Sequence, residues 1–380
     1  MTRRLLFNLS LVPVIGAMAC HTHGSVLDAG PQVAGCGEPE SGSGSPAAIR
    51  WFGPGQADEA RRHARWCRAV GMPVLAAPAP DSQWDRPSAA SRDSILVVSY
   101  NAALGSGRLD LLVDRIRSGA LTGGPPVGDF VILVQETVRM GSTVPEVLPA
   151  AAAGGRAMFP EPDSGDRLDV IRLAGARGLH VFYVPAMRSG RALNPAGLPE
   201  DRGNAILSTR PLEALSAVEL PFGGARRVAN GAVLRGRGWQ LGLVNLHLDV
   251  GPFGPSALSA IRARQARAVA QAYDLAAPWG RALPPAVVVG GDLNSFSLTG
   301  TAESVRVLRE AFPDGHGPGR PTRGWQRLDH LFFRAGGGLG LGRVGMGPDT
   351  FGSDHHPIFA WVGPADPTGS FNSQADNDLR

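Results

Sequence analysis

The sequence predicts an α/β fold in which strands and helices mix without strict alternation. Short apolar runs rich in Val, Ile and Leu recur along the chain, and such runs are typical of strands buried in a sheet. Longer stretches with helical spacing of apolar residues stand between some of these runs. The chain has 380 residues, 43% of them hydrophobic, so it can bury the core of one large domain.

Beyond residue 92, the first predicted element begins at residue 95. The strands are, in chain order, Ile95–Tyr100, Phe130–Gln135, Leu179–Val184, Asn204–Ser208, Ala232–Arg235, Leu241–His247, Ala286–Gly290, Leu328–Phe333 and Pro357–Val362. The helices are Leu109–Ser118, Ser256–Ala276 and Ala302–Ala311. The Ala/Gly-rich segment from Met140 to Gly175 is predicted to be a loop with one short helix.

Residues 1–20 resemble an export signal. Two arginines precede an apolar run, Leu5 to Met18, that is too short to span a bilayer comfortably. Ala17-Met18-Ala19 is a small-x-small cleavage pattern, and the following Cys20 resembles the lipid-attachment cysteine of bacterial lipoproteins. Ala17 stands where that pattern usually has Leu, so ordinary signal-peptidase cleavage is the alternative. We therefore predict an exported protein, anchored as a periplasmic or cell-surface lipoprotein or otherwise secreted.

The three cysteines fit the same prediction. If Cys20 is lipidated, Cys36 and Cys67 remain and can pair in an oxidising compartment. The alternative is three unpaired thiols. All three precede the polar motifs described below, so none is a candidate nucleophile.

Composition divides the rest of the chain into three parts. Residues 21–92 are rich in Gly, Pro, Ser and Ala and are predicted to be a flexible tether. One helix is predicted inside it, Ala57 to Val70, ended by Gly71, with its arginines on a solvated face. Residues 93–363 are the predicted globular domain, and the polar tail 364–380 is predicted to be disordered.

Charge excludes two kinds of mechanism. All 37 basic residues are Arg, so the chain has neither a Schiff-base lysine nor a phosphate-loop lysine. The net charge of +4 is compatible with a polyanionic substrate without requiring one.

Polar residues stand at the ends of several predicted strands. Asn101, Glu136 and His247 each end or follow such a strand, and Asp292-Leu293-Asn294 follows the run from Ala286. Ser353-Asp354-His355 precedes the last strand. Polar side chains at the ends of several strands can form the rim of an active site, and these residue types suit hard cations and phosphate.

The order of these motifs resembles the endonuclease/exonuclease/phosphatase superfamily from about Ser94 to Val362. The resemblance implies a four-layer sandwich of two packed mixed β-sheets flanked by helices. It also implies metal-assisted, in-line hydrolysis of a phosphate ester by water, without a covalent enzyme intermediate.

The resemblance assigns ligands for the metal and the substrate. Glu136 stands where the family places its main metal ligand, for Mg²⁺ or Mn²⁺, and Asp354 is expected to add a further contact. The amide of Asn101 is expected to bond a phosphate oxygen or to orient Glu136. Asn204 is expected to face the phosphate.

The resemblance also implies five catalytic residues. Asp292 and Asn294 would hold the attacking water and stabilise the transition state. His355 would be the base or the electrostatic partner of that water, oriented by Asp329. His247 would donate either a hydrogen bond to phosphate or a proton to the leaving oxygen.

Other polar residues are weaker candidates. Tyr183 is equally compatible with phosphate contact and with packing, and Arg226 and Arg227 could clamp a phosphate, although a water-facing strand edge is favoured. His330 and His356 adjoin stronger candidates and are predicted to point away by strand alternation. Four further histidines without partners at useful spacing are predicted on the surface: His21, His23, His63 and His316.

The predicted function is a Mg²⁺- or Mn²⁺-dependent phosphodiesterase acting on nucleic acid. The first alternative is a sphingomyelinase-like lipid phosphodiesterase, for which the loop Asp249 to Pro255 offers only Phe253 as a membrane-facing aromatic residue. Phosphoinositide phosphatases, cyclic-dinucleotide hydrolases and an inactive binding lipoprotein of the same fold are further alternatives. No obligate protein partner is evident, and membrane contact is expected only through the lipid anchor.

Overall fold

The computed structural model describes residues 40–41, 49–53, 57–78, 94–146, 167–188, 199–250, 254–274, 284–295 and 301–365. The predictions on the export signal, on Cys20 and Cys36, on Phe253 and on residues 366–380 lie outside these ranges. Cys67 takes part in a disulfide bond whose partner is also outside them. No helix in these ranges is long and apolar enough to cross a membrane.

Nine strands of the described residues form the larger sheet. In spatial order they are β1 (Glu40–Ser41), β3 (Val74–Ala76), β6 (His180–Arg188), β7 (Glu200–Ser208), β5 (Phe130–Met140), β4 (Ile95–Asn101), β16 (Ile358–Pro364) and β14 (Leu339–Leu341), with β15 (Gly345–Met346) also paired with β16. The sheet is mixed, because β4 and β5 are parallel whereas β5 and β7 are antiparallel.

Seven strands of the described residues form the smaller sheet. In spatial order they are β12 (Asp314–His316), β13 (Asp329–Arg334), β11 (Val287–Asp292), β10 (Gln240–His247), β9 (Val228–Arg235), β8 (Glu213–Glu219) and β2 (Arg50–Phe52). This sheet is also mixed, because β10 is parallel to β11 and antiparallel to β9.

The two sheets pack face to face, with helices on their outer faces. The five described helices are α1 (Ala57–Cys67), α2 (Leu109–Arg117), α3 (Val170–Ala176), α4 (Pro255–Ala272) and α5 (Glu303–Ala311). Helices α2 and α3 share an apolar cluster with the larger sheet, and α4 and α5 share one with the smaller sheet. A third cluster joins the two sheets. The predicted four-layer sandwich is confirmed.

Strand β4 shows why the central strands are apolar without interruption. Ile95 and Val97 pack between the two sheets, whereas Leu96 and Val98 pack under the outer helices. Because successive side chains alternate between two buried faces, the run from Ile95 to Val98 is apolar on both faces. Buried polar residues of β4 begin at Ser99, near the end of the strand.

The predicted tether is partly built into both sheets. β2 pairs in parallel with β8, and β3 pairs antiparallel with β6. Trp51 and Trp66 are buried in the cluster between the sheets. The prediction of a flexible tether is therefore wrong for the described parts of 49–78. Three-residue edge strands are too short to show a periodicity among Gly and Pro.

Most predicted elements are present with shifted ends. Strands β5 and β6 run further than predicted, to Met140 and Arg188, and α1 ends at Cys67 rather than at Val70. The arginines of α1 are exposed, as predicted. Strand β8 was not predicted, and neither were β2, β3 and the short strands β12, β14 and β15.

One buried ionic cluster contradicts two surface predictions. His63 Nδ1 lies 2.9 Å from Glu219 Oε2, and Arg226 NH2 lies 2.5 Å from Glu219 Oε1. All three side chains are buried, so His63 is not a surface residue and Arg226 does not face water. Burial by itself would raise the pKa of the Glu219 carboxyl, but the opposing charge of Arg226 and the contact with His63 lower it to about 2.

Candidate active site

Strand register brings the predicted catalytic residues together at the ends of neighbouring strands in the smaller sheet. His247 is the Cα partner of Asp292 across the parallel pair β10–β11. Asp292 is in turn the partner of Asp329 across the antiparallel pair β11–β13. Residues that are far apart in the sequence therefore flank Asp292 on both sides.

The backbone around Asp292 is tightly constrained. Gly291 has φ of +150°, and a Cβ placed there would lie 1.8 Å from the carbonyl oxygen of Leu246, so only glycine fits. Asn294 adopts a left-handed conformation with φ of 49°. This turn lets the Asn294 amide N–H donate to Asp292 Oδ1 at 2.7 Å. The segment after the strand is thus shaped around the carboxylate.

Glu136 lies on a β-bulge in β5. The pairing of β5 with β7 shifts register between Val134 and Thr137, and Glu136 has φ of 53°. Bulges and positive φ at non-glycine residues are costly and often occur at functional sites, where they aim a side chain. Glu136 Oε2 accepts the Leu104 amide at 3.0 Å, and Leu104 itself has φ of 57°. Because of the bulge, the Glu136 side chain departs from the in-and-out alternation of the strand, and its carboxylate points towards the site.

Asp292 is the centre of the site. Its Oδ2 accepts a hydrogen bond from Asn101 Nδ2 at 2.9 Å and lies 3.6 Å from His247 Nε2 and 3.7 Å from His355 Nε2. Burial raises the pKa of Asp292 to about 6, which nearby Asp329 reinforces and His355 opposes. Asn101 thus contacts Asp292 rather than Glu136.

His355 is held by carboxylates. Its Nδ1 lies 2.8 Å from Asp329 Oδ2, and both side chains are almost fully buried. Its Nε2 faces Asp292 at 3.7 Å and Asp354 at 3.8 Å. Burial lowers the pKa of His355, but Asp329, Asp292 and Asp354 outweigh it and raise the pKa to about 9. These carboxylates therefore favour the protonated ring.

His247 has the opposite environment. Arg227 NH1 lies 3.0 Å from its Nδ1. Burial lowers the pKa of His247 well below its usual value, and the charges of Arg227 and His355 lower it further. Because arginine carries no acceptor, Nδ1 can only accept from Arg227. Nε2 faces Glu136 Oε1 at 3.7 Å and lies 3.0 Å from Asn294 Nδ2, so both ring nitrogens have a donor beside them.

One pocket of about 620 Å³ collects these groups. Eight of the nine predicted site residues line it: Asn101, Glu136, Asn204, His247, Asp292, Asn294, Asp354 and His355. The ninth, Asp329, lies behind His355 and contacts the site only through that ring. The side chain of Asn204 donates to the carbonyl oxygen of Val228 at 2.7 Å.

Three arginines also line this pocket: Arg202, Arg227 and Arg323. The favoured prediction of a water-facing Arg227 is wrong, because the residue is buried against His247. Arg202 and Arg323 were missed. Arg202 lies two positions before Asn204 on β7, so strand periodicity places both on one face, whereas Arg323 lies in a loop and no local pattern indicates it.

The weaker candidates are placed by the structure as follows. The hydroxyl of Tyr183 donates to Asp201 Oδ1 at 2.9 Å, and its ring is fully buried, so Tyr183 is a packing residue. His330 Nε2 contacts the hydroxyl of Ser295 at 3.1 Å, and His356 Nδ1 contacts the carbonyl oxygen of Gly347. Neither of these two histidines lines the pocket.

Comparison with known proteins identifies the family to which the chain belongs. The sequence model of the Endonuclease/Exonuclease/phosphatase family matches residues 98–355. The chain belongs to this family. Its members are hydrolases that act on phosphate esters, and they generally depend on a divalent metal. No curated protein matches the chain.

Several solved structures are similar to this chain at low sequence identity. An endonuclease/exonuclease/phosphatase from Beutenbergia cavernae is 18% identical, with 72% of each chain covered and a TM-score of 0.48. A family protein from Leptotrichia buccalis is 10% identical, with 70% of this chain and 98% of that chain covered and a TM-score of 0.44. Sphingomyelinase C from Streptomyces griseocarneus is 19% identical, with coverages of 70% and 99% and a TM-score of 0.37.

The oxygen atoms around the pocket suit the divalent cation that the family generally requires. Glu136 Oε1 is 3.7 Å from His247 Nε2, beyond hydrogen-bond distance, so this oxygen has lone pairs to offer. Asp292, Asp329 and His355 also form a compact group whose ligand atoms lie within 4.8 Å of one another. A cation held there would compete with the Asp329–His355 hydrogen bond, so Glu136 is the better first ligand.

Proposed function

We propose that the chain is a Mg²⁺- or Mn²⁺-dependent phosphodiesterase that hydrolyses nucleic acid by in-line attack of water. The observation that carries this proposal is the environment of Asp292. Its buried carboxylate stands between His247 and His355, in a pocket that also contains Glu136 and three arginines. A water-activating carboxylate, groups that bind a phosphate anion and an oxygen ligand for a hard cation thus share one pocket.

Asp292 is the residue that accepts the proton of the attacking water in this proposal. Asn101 Nδ2 and the Asn294 amide each donate to one of its oxygens, which fixes the orientation of the carboxylate. His355 faces Asp292 with Nε2 while Asp329 holds Nδ1. A ring held by carboxylates on both sides favours a positive charge, so His355 serves as the electrostatic partner rather than the base.

His247 serves as a hydrogen-bond donor to phosphate. The Arg227 contact at Nδ1 opposes a positive charge on the ring, and we assign the hydrogen of the neutral ring to Nε2, which faces the pocket. A neutral imidazole is a poor proton donor to a leaving oxygen but a good hydrogen-bond donor. Of the two roles that the sequence leaves open, this geometry favours the hydrogen bond.

The divalent cation would be held by Glu136, with Asp354 as a further ligand. When bound, such a cation supplies Lewis-acid stabilisation of charge on the phosphate oxygens. Asp354 Oδ2 forms an ion pair with Arg323 NH2 at 2.5 Å, and its side chain is 48% exposed. Because Asp354 is already paired with Arg323, we take Glu136 as the principal ligand.

Two observations favour nucleic acid over lipid as the substrate. Arg202, Arg227 and Arg323 line the pocket, which suits a substrate that carries several phosphate groups. A lipid phosphodiesterase needs an apolar surface that enters the membrane interface. Among the described residues, the exposed large hydrophobic side chains are Leu111 and Trp325 alone, which do not form such a surface.

The test is a substrate panel with the purified protein. The substrates are plasmid DNA, single-stranded RNA, bis-p-nitrophenyl phosphate, p-nitrophenyl phosphate and sphingomyelin, each with Mg²⁺, Mn²⁺, Ca²⁺ or a chelator. We expect metal-dependent cleavage of nucleic acid and of the diester, and no cleavage after Asp292→Asn. Glu310→Gln, an exposed carboxylate on α5, is the matched control and should retain activity.

The outcomes separate the alternatives. Cleavage of sphingomyelin without cleavage of nucleic acid would establish the lipid phosphodiesterase instead. Preference for the monoester would indicate a phosphatase. Inactivity on every substrate with every metal would favour a binding protein of this fold.

A further inference from the structure

A second pocket shares a loop with the active-site pocket. It has a volume of about 400 Å³ and is lined on one side by Pro318, Gly319 and Arg320. The same loop continues to Arg323, which lines the active-site pocket. Three residues of chain span at most about 11 Å, which corresponds to roughly three base steps along a strand of nucleic acid. The two pockets are therefore close enough for one extended substrate.

The second pocket is basic. Arg320 and Arg343 both line it, both are exposed, and neither forms an ion pair with a described residue. Arg320 NH2 has only a 3.4 Å contact with the carbonyl oxygen of Met346. No acidic residue lines this pocket, while Phe359 and Trp361 contribute aromatic surface. Nearby Asp349 is exposed and Asp354 is paired with Arg323. Two arginines beside aromatic rings suit a phosphate and a base.

An aromatic side chain stands on the loop between the pockets. Trp325 is 67% exposed, the most exposed large hydrophobic residue among those described. The turn that carries it is ordered by hydrogen bonds, because the Gln326 amide donates to the Arg323 carbonyl oxygen at 2.8 Å and the Thr322 amide donates to the Gln326 carbonyl oxygen at 2.8 Å. The exposed Arg327 follows it. An ordered tryptophan between arginines is suited to stack on an unpaired base.

We infer that the loop 318–327 and the second pocket bind the single-stranded nucleic acid that flanks the scissile phosphate. Arg320 and Arg343 would hold a phosphate of the flanking strand, and Trp325 would stack on an unpaired base. This inference rests on the proposed function and specifies its substrate as a strand several nucleotides long, with unpaired bases near the cleaved bond. Neither the arginines nor the tryptophan would contact the scissile phosphate itself.

A membrane is the less suitable occupant of this surface. Membrane docking buries a contiguous apolar patch in the interface, whereas Trp325 is flanked by Arg323 and Arg327 and stands alone as an exposed aromatic residue among the described residues. The basic groups also line a pocket rather than a flat face. These features suit a nucleic-acid strand that enters both pockets.

The test compares a long and a short substrate in the same variants. The variants are Arg320→Ala/Arg343→Ala and Trp325→Ala in the full chain. The matched control is Arg115→Ala/Arg309→Ala, which removes two exposed arginines from α2 and α5. The substrates are a fluorescent single-stranded oligonucleotide and bis-p-nitrophenyl phosphate, which has no flanking nucleotides. All five residues are exposed, so the variants should fold.

We expect losses confined to the oligonucleotide. Trp325→Ala should lower its kcat/KM between about 5- and 150-fold, the range for one base stacked on an aromatic side chain. The double arginine variant should reduce the slope of log kcat/KM against log salt concentration by about 0.7, as expected for the loss of one phosphate contact on a single strand. Turnover of the small diester, and both activities of the control, should be unchanged.

Each other outcome has a distinct meaning. Normal cleavage of the oligonucleotide by all variants would overturn this inference and leave the proposed function intact. Equal losses on both substrates would show that the loop supports the active site instead. Loss of binding to phosphatidylcholine vesicles, with no change on the oligonucleotide, would identify a membrane surface. A wild-type protein that cleaves the diester but no nucleic acid would overturn the proposed substrate and this inference together.

Discussion

Asp329→Asn tests whether a buried carboxylate controls the charge of His355. The substitution keeps the size of the side chain but removes the charge that lies 2.8 Å from Nδ1. Without that charge the ring loses its preference for the protonated form. The adjacent Asp292, whose Oδ2 is 3.7 Å from His355 Nε2, then loses its electrostatic partner.

The size of the effect follows from this geometry. Two unit charges 3.7 Å apart interact by about 4 kcal/mol at an effective dielectric constant of about 20. If this stabilisation acts on the transition state, its loss corresponds to a decrease in kcat of about 10³-fold. KM should change little, because Asp329 does not line the pocket.

The assay is a double-mutant cycle on bis-p-nitrophenyl phosphate at saturating Mg²⁺. We expect Asp329→Asn, His355→Ala and the double variant to have similar kcat values, because the two residues act as one unit. The NMR titration of His355 should also move to lower pH in Asp329→Asn. Glu310→Gln is the control. Fully additive losses in the double variant would refute the proposed link between Asp329 and His355.

Three further predictions concern the metal, the fold and the location of the protein. Glu136→Gln should lower kcat by orders of magnitude and weaken Mg²⁺ binding measured by calorimetry, while the free energy of unfolding stays unchanged. Full turnover at saturating Mg²⁺ would remove Glu136 from the site. Arg226→Met should destabilise the fold by about 3–5 kcal/mol in urea unfolding, since it leaves Glu219 charged and buried, whereas exposed Arg306→Met should cost less than about 1 kcal/mol. The pKa of Glu219 is about 2 in the folded protein, below the ordinary glutamate pKa of 4.5. The stabilisation should therefore be present above pH 4.5 and lost as pH falls towards 2, and a flat urea midpoint across this window would contradict it. We propose that the chain is exported and lipidated at Cys20, so Cys20→Ala should move it from the membrane to the soluble fraction; an unlabelled, soluble wild type in a metabolic lipid-labelling experiment would refute the anchor.

Local sequence patterns were sufficient to predict the strands and most of the catalytic residues. The runs from Ile95 to Val98 and from Val287 to Val289 are apolar because both faces of these strands are buried. Asn101, Asp292 and Asn294 follow these runs, so their positions at the strand ends could be predicted from the sequence itself. The family resemblance then supplied their order along the chain.

The contacts of those residues depended on the tertiary structure. Asn101 donates to Asp292 across 191 positions of sequence, and Arg227, the residue just before β9, contacts His247 on the neighbouring strand β10. Periodicity within one strand indicates which face a side chain occupies but not which strand lies opposite. The aim of Glu136 likewise depends on a bulge against β7, and no residue near Glu136 in the sequence signals it.

The same reason explains the incorrect predictions. Residues 50–52 and His63 have a polar, Gly/Pro-rich neighbourhood, which by itself predicts a solvated tether. They are buried because β8 offers a free edge and Glu219 offers a charge, both more than 150 positions away. A charged group is stable in the interior only when an oppositely charged partner lies beside it. The packing of the two sheets determines which residue that partner is.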